Sequence, residues 1–139
     1  MMLIGKLHPL LVHFPIALVL AAAAAEIAAM RTRRASWRAI AVANLRVGAA
    51  MGALTLVAGW VLATAPFIEA TSSLTSHRWA GVAAVGATLG AALASTRSHA
   101  QSHRSLVMYR AALFSAAVLV AIAGHLGAAL VWGPDFLKP

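Results

Sequence analysis

Six histidines carry most of the chemistry this sequence can offer. Neutral imidazole is a common ligand for haem iron, copper and zinc. His8 and His13 stand near the start of the chain, His77 near its middle and His125 near its end, each at the edge of a long apolar run. His99 and His103 lie in a polar stretch, 96–105, at a spacing that would put both on one face of a helix. A solvated loop is the plainer reading of so polar a segment. Two imidazoles from facing helices can hold a b-type haem. Three or four without a porphyrin would suit copper or zinc. The bland alternative is a structural cluster bonded to itself, to backbone and to interfacial water. There is no cysteine, which excludes disulfides, thiolate metal sites, cysteine-ligated iron–sulfur clusters and covalent c-type haem attachment. Asp135 is the only aspartate and no serine sits in a nucleophile motif, so nothing points to a hydrolase.

The elements that must position these side chains are membrane helices. The chain is 62% hydrophobic and 10% charged, with a mean hydropathy of +0.86. Soluble chains carry about 25% charged residues, so the natural solvent for this surface is lipid. A spanning helix needs about 20 mainly apolar residues. Windows at 9–30, 40–67, 77–94 and 106–132 qualify, and together they form a single domain over residues 1–139. The first is read as a span and not as a cleaved signal peptide, because its apolar run is long and only Lys6 precedes it as a charge. The expected fold is therefore an all-α integral membrane protein, a four-helix transmembrane bundle.

Charge orients the bundle. Arg31, Arg33, Arg34, Arg38, Arg46, Arg97, Arg104 and Arg110 fall on one side, and Lys6, Arg78 and Lys138 on the other. The positive-inside rule then puts both termini on the non-cytoplasmic side, the periplasm if the host membrane is a bacterial inner membrane. Trp60, Phe67, Trp79 and Trp132 fall toward the same outer boundary, where aromatic rings anchor helices. The net charge of +8 is explained by these loops without a nucleic-acid partner.

In this topology His8, His13, His77 and His125 converge at the outer face from segments far apart in sequence. At 1.5 Å per residue His13 lies roughly 6 Å along the first span and His125 roughly 10 Å from the end of the fourth, so the two could face each other. His8 is about 140° around the helix from His13, and the two share a face only if Pro9 and Pro15 bend the chain. Gly124 and Gly127 would leave room for a porphyrin beside His125, and Arg78 or Lys138 could meet its propionates. Deeper in the bundle, Glu26 and Arg46 are expected at similar depth as an intramembrane ion pair, the alternative being that both reach the headgroups. Gly48 with Gly52, and Gly86 with Gly90, form two G-x-x-x-G steps suited to close helix packing within the bundle or to a homodimer.

The segment His8-Pro9-Leu10-Leu11-Val12-His13-Phe14-Pro15 resembles the opening signature of an uncharacterised membrane family, domain of unknown function 2231. His77-Arg78-Trp79-Ala80-Gly81, Gly124-His125-Leu126-Gly127 and Leu130-Val131-Trp132-Gly133 extend the resemblance over nearly the whole chain. It implies a compact four-helix membrane domain. Because similar segments occur beside cytochrome c modules in larger proteins, it also implies a redox setting. The matching histidines are His8, His13, His77 and His125. No C-x-x-C-H motif is present, so an electron partner would be a separate cytochrome or other redox protein. The leading expectation is a b-type haem protein for electron transfer with His13 and His125 as axial ligands, and His8 and His77 as alternatives or supporting partners. A copper or zinc site in a metal-handling protein and a non-catalytic structural or assembly subunit are the alternatives.

Overall fold

The computed structural model describes residues 2–97, 102–133 and 135–136. The elements are α1 (Met2–Lys6), α2 (His8–Leu11), α3 (His13–Thr32), α4 (Ala35–Leu62), α5 (Ser72–Arg97) and α6 (His103–Trp132). Four helical stretches are long and apolar enough to cross a membrane: Leu3–Thr32, Ala35–Leu62, Ser72–Thr96 and His103–Trp132. The first runs through α1, α2 and α3. Among the described residues there is no strand. Lys138 and His99 lie outside the described residues, and His103 is the exposed first residue of α6.

The N-terminal span is interrupted, and Pro9 and Pro15 within it lack the N–H that would continue the helical ladder. The interruptions fall at Leu7 and Val12, both still in right-handed helical conformation, so the chain does not unravel there. Here α1 lies along the end of α4, where Gly5 approaches the Leu62 backbone so closely that a Cβ would come within 2.8 Å of its nitrogen. At the other end α3 stops at Thr32. Arg33 takes a left-handed conformation (φ 57°) and Arg34 is extended before α4 begins. α4 ends at Leu62, short of the expected boundary at 67. Pro66 disfavours a continuing helix at its own position and at the residue before it.

α3 with α4, and α5 with α6, form two antiparallel hairpins that pack side by side. Their common core is built mainly from small residues: Ala22, Ala23, Ala84, Ala91, Ala116 and Ala117 surround Val19, Leu45, Tyr109 and Leu113. Small side chains let helix backbones approach, which matters in lipid, where apolar burial gives no net drive for association. Gly48 belongs to this scheme, since a Cβ there would lie 3.1 Å from Val19 Cγ2. The face bearing Gly86 and Gly90 is different: a Cβ at either would meet nothing within 4 Å. Buried hydroxyls bond to their own helices, Thr55 to Met51 O, Thr88 to Ala84 O and Ser95 to Ala92 O. Large apolar side chains such as Leu54, Leu93 and Val131 point outward, as they do on a surface that faces lipid.

Candidate functional site

The bundle has a histidine end and an arginine end. At the histidine end the His8 and His77 rings meet edge to face, with centroids 6.3 Å apart and planes inclined at 73°. Each ring is held by a backbone carbonyl of the neighbouring even-numbered helix. His8 Nδ1 donates to Thr55 O at 3.0 Å, and His77 Nδ1 donates to Ala123 O at 3.2 Å. A carbonyl can only accept, so the Nδ1 atoms carry the protons and the Nε2 atoms keep their lone pairs.

Glycine makes both contacts possible. A Cβ on Gly59 would lie 2.8 Å from His8 Cε1, and one on Gly127 would lie 3.0 Å from His77 Cε1. In each hairpin the glycine stands four residues after the accepting carbonyl, one turn along the same helix face. The two hairpins therefore repeat one device: a histidine near the start of the first span, a carbonyl on the second, and a glycine one turn later. The equivalent positions are 68 or 69 residues apart.

His13 and His125, the expected facing pair, are not the pair brought together. His13 is exposed at the first position of α3, and His125 is exposed with its ring 5.6 Å from that of Phe136. Helix geometry explains both. The five-residue offset turns His13 about 140° away from His8. Position 125 lies two residues from both 123 and 127, about 200° around α6 from the face that receives His77. Instead, His125 lines a cleft of about 380 Å³ with Ser72, Ser76 and Leu130. Among the described residues no three or more His, Asp or Glu side chains form a group able to hold a metal ion, so the three- or four-imidazole site is not assembled. Thr55, Gly59 and Ala123 were not legible as site residues, because two of them contribute only a carbonyl and the third only the lack of a side chain.

Arg78 follows His77 and lies over the Trp60 ring, 3.8 Å from its centroid. Trp60 in turn meets Trp79 edge to face at 6.2 Å. Arg78 Nε is buried and has no hydrogen-bond partner among the described residues. A cation in this aromatic setting, with an unused donor, suits an anionic group.

At the arginine end Glu26 is fully buried. It receives Arg110 Nε at 2.8 Å on Oε1, and Arg38 through Nη2 at 3.2 Å and Nε at 3.4 Å. The expected Glu26–Arg46 pair is thus incorrect: Arg46 donates to Ser95 Oγ at 3.3 Å. Depth is the reason. α4 begins at Ala35, earlier than hydropathy implied, which puts Arg46 about 17 Å into the helix while Glu26 lies only about 9 Å from the end of α3. Arg38 and Arg110 lie about 5 and 10 Å into their helices and reach the carboxylate readily.

No curated protein and no solved structure matches the chain. A family model described as "Predicted membrane protein (DUF2231)" matches residues 6–135, a range that takes in both histidine–carbonyl–glycine contacts and the arginine end. The chain is a membrane protein and belongs to this family.

Proposed function

We propose that this protein is a b-type haem-binding electron-transfer protein of the membrane, with His8 and His77 as the axial ligands. The observation that carries the reading is the imidazole pair, one ring from each hairpin, with each Nδ1 anchored on a carbonyl. That anchoring fixes ring orientation and tautomer and leaves Nε2 as the ligand atom, the usual arrangement of a metal-bound histidine. Neutral imidazole is a common ligand for haem iron, and these two rings, 6.3 Å apart, come from different hairpins. Two imidazoles are also the full protein donor set for an iron whose other four ligands come from porphyrin, whereas structural zinc takes four protein ligands. Arg78, the residue after His77, has a buried Nε with no hydrogen-bond partner among the described residues and would meet a propionate.

Haem bound there would supply one-electron chemistry at a potential set by its axial ligands and burial. The chain's own residues would bind, orient and shield it, and the electron partner would be a separate redox protein. Given the arginine excess at the opposite end, the histidine end and both termini face away from the cytoplasm, toward the periplasm in a bacterial inner membrane. A homodimer would form on the open face of Gly86 and Gly90.

The test is a visible spectrum, oxidised and dithionite-reduced, of protein purified in mild detergent from haem-replete cells. A Soret band with sharpened reduced α and β bands is expected, lost in His8→Ala and His77→Ala and kept in His13→Ala and His125→Ala. The tight seating of both rings on glycine favours a second reading, in which the histidines only lock the hairpins together. That reading predicts a featureless spectrum and equally destabilised His8 and His77 variants. Elemental analysis of the same samples separates a two-coordinate copper(I) site from both.

A further inference from the structure

We infer that the arginine end holds a binding site for the phosphate of an anionic phospholipid headgroup. Arg33, Arg34, Arg38 and Arg110 line a cleft of about 440 Å³ between the α3–α4 turn and α6, together with Ala29, Met30 and Ala35. Glu26 answers Arg38 and Arg110 from below. It is one carboxylate against four guanidinium groups, and neither Arg33 nor Arg34 has an acidic partner among the described residues. The cleft therefore carries about three uncompensated positive charges. Guanidinium groups match phosphate oxygens in geometry as well as charge.

A second observation points the same way. Arg33 occupies a left-handed backbone position, φ 57°, where a helix normally ends in glycine. A side chain there costs conformational energy, and strain of this kind is found at ligand clamps. The lining also selects the source of the phosphate. Met30 is about half exposed on the outer surface of α3, so apolar wall continues from the cleft toward lipid, which suits a glycerol and acyl chain and offers nothing to free phosphate. Basic pockets between helices at a membrane surface bind anionic headgroups in this way. A zwitterionic headgroup would bring its own cation into an already positive cleft.

The experiment is native mass spectrometry of the purified protein in detergent with an equimolar mixture of phosphatidylglycerol and phosphatidylcholine, and separately with inorganic phosphate. The expected result is selective retention of phosphatidylglycerol. Preference should fall about 5-fold in Arg33→Gly and about 30-fold in an Arg33→Gln, Arg34→Gln double variant, from the usual contribution per arginine near a membrane surface. Arg33→Gly relieves the backbone strain, so it separates loss of binding from loss of folding: its unfolding temperature should hold or rise while its lipid preference falls. Equal retention of the two lipids, or unchanged preference in the double variant, overturns the inference. Retention of inorganic phosphate with no lipid preference overturns it as well, by assigning the cleft to a soluble anion.

Discussion

The most direct test of the histidine–glycine device is a change of sign. Alanine at position 59 would place a Cβ 2.8 Å from His8 Cε1 and 2.9 Å from its Nδ1, too close for the ring to stay. In a helix interior alanine is favoured over glycine by about 1 kcal/mol. Against that, Gly59→Ala displaces a ring whose hydrogen bond to Thr55 O contributes about 1 kcal/mol, and overpacking adds about 1–3 kcal/mol. The net expectation for Gly59→Ala is a loss of about 1–3 kcal/mol, obtained by combining these terms. With His8→Ala already present the ring is gone. Gly59→Ala should then stabilise by up to about 1 kcal/mol. Thr55 O loses little in that background, because the helix's own N–H at position 59 still reaches it. The coupling between the two substitutions should be about 2–4 kcal/mol, large for a pair in direct contact. Unfolding by heat or by SDS titration in mild detergent, on wild type, both single variants and the double variant, gives all four corners. If Gly59→Ala has the same sign in both backgrounds, the ring does not sit on Gly59 and the argument fails. Gly127→Ala with His77→Ala is an independent repeat of the cycle in the second hairpin.

Three further outcomes are expected. Arg110→Ala should cost about 3 kcal/mol because it strips a fully buried carboxylate of its shortest bond, while Arg46→Ala, losing a 3.3 Å contact to Ser95, should cost under about 1 kcal/mol; equal costs in the same unfolding assay would refute the assignment of Glu26's partners. Gly86→Ala and Gly90→Ala should each stabilise the monomer by up to about 1 kcal/mol, because no neighbour lies near either Cβ position, and Gly48→Ala should not, with Val19 Cγ2 at 3.1 Å. Trp60→Leu should cost about 0.5–2 kcal/mol through the lost contact with Arg78; an unfolding midpoint equal to that of wild type would show that the guanidinium does not depend on that ring.

Membrane residence and four helices could be read from composition and run length alone, because a spanning helix needs about 20 predominantly apolar residues. The convergence of His8 and His77 at one end also followed from the sequence, since antiparallel topology decides which segment ends share a side. Which histidines touch did not follow. That depends on rotation about the helix axis, and in spans apolar on every side no amphipathic stripe reveals which face turns inward. The interruptions near Pro9 and Pro15 were foreseeable as places, but the seating of this segment on Leu62 and Gly59 is set by contacts with α4. The Glu26 partners show the same division. A charge inside a span needs a counter-charge, and the sequence requires as much. Choosing Arg38 and Arg110 over Arg46 depends on a depth difference of a few ångströms, which follows from where α4 begins. The α3–α4 connection is only two residues long, and that length registers one helix against the other. Tertiary structure alone decides such matters of register and rotation, because packing chooses among faces that the hydrophobic pattern leaves equivalent.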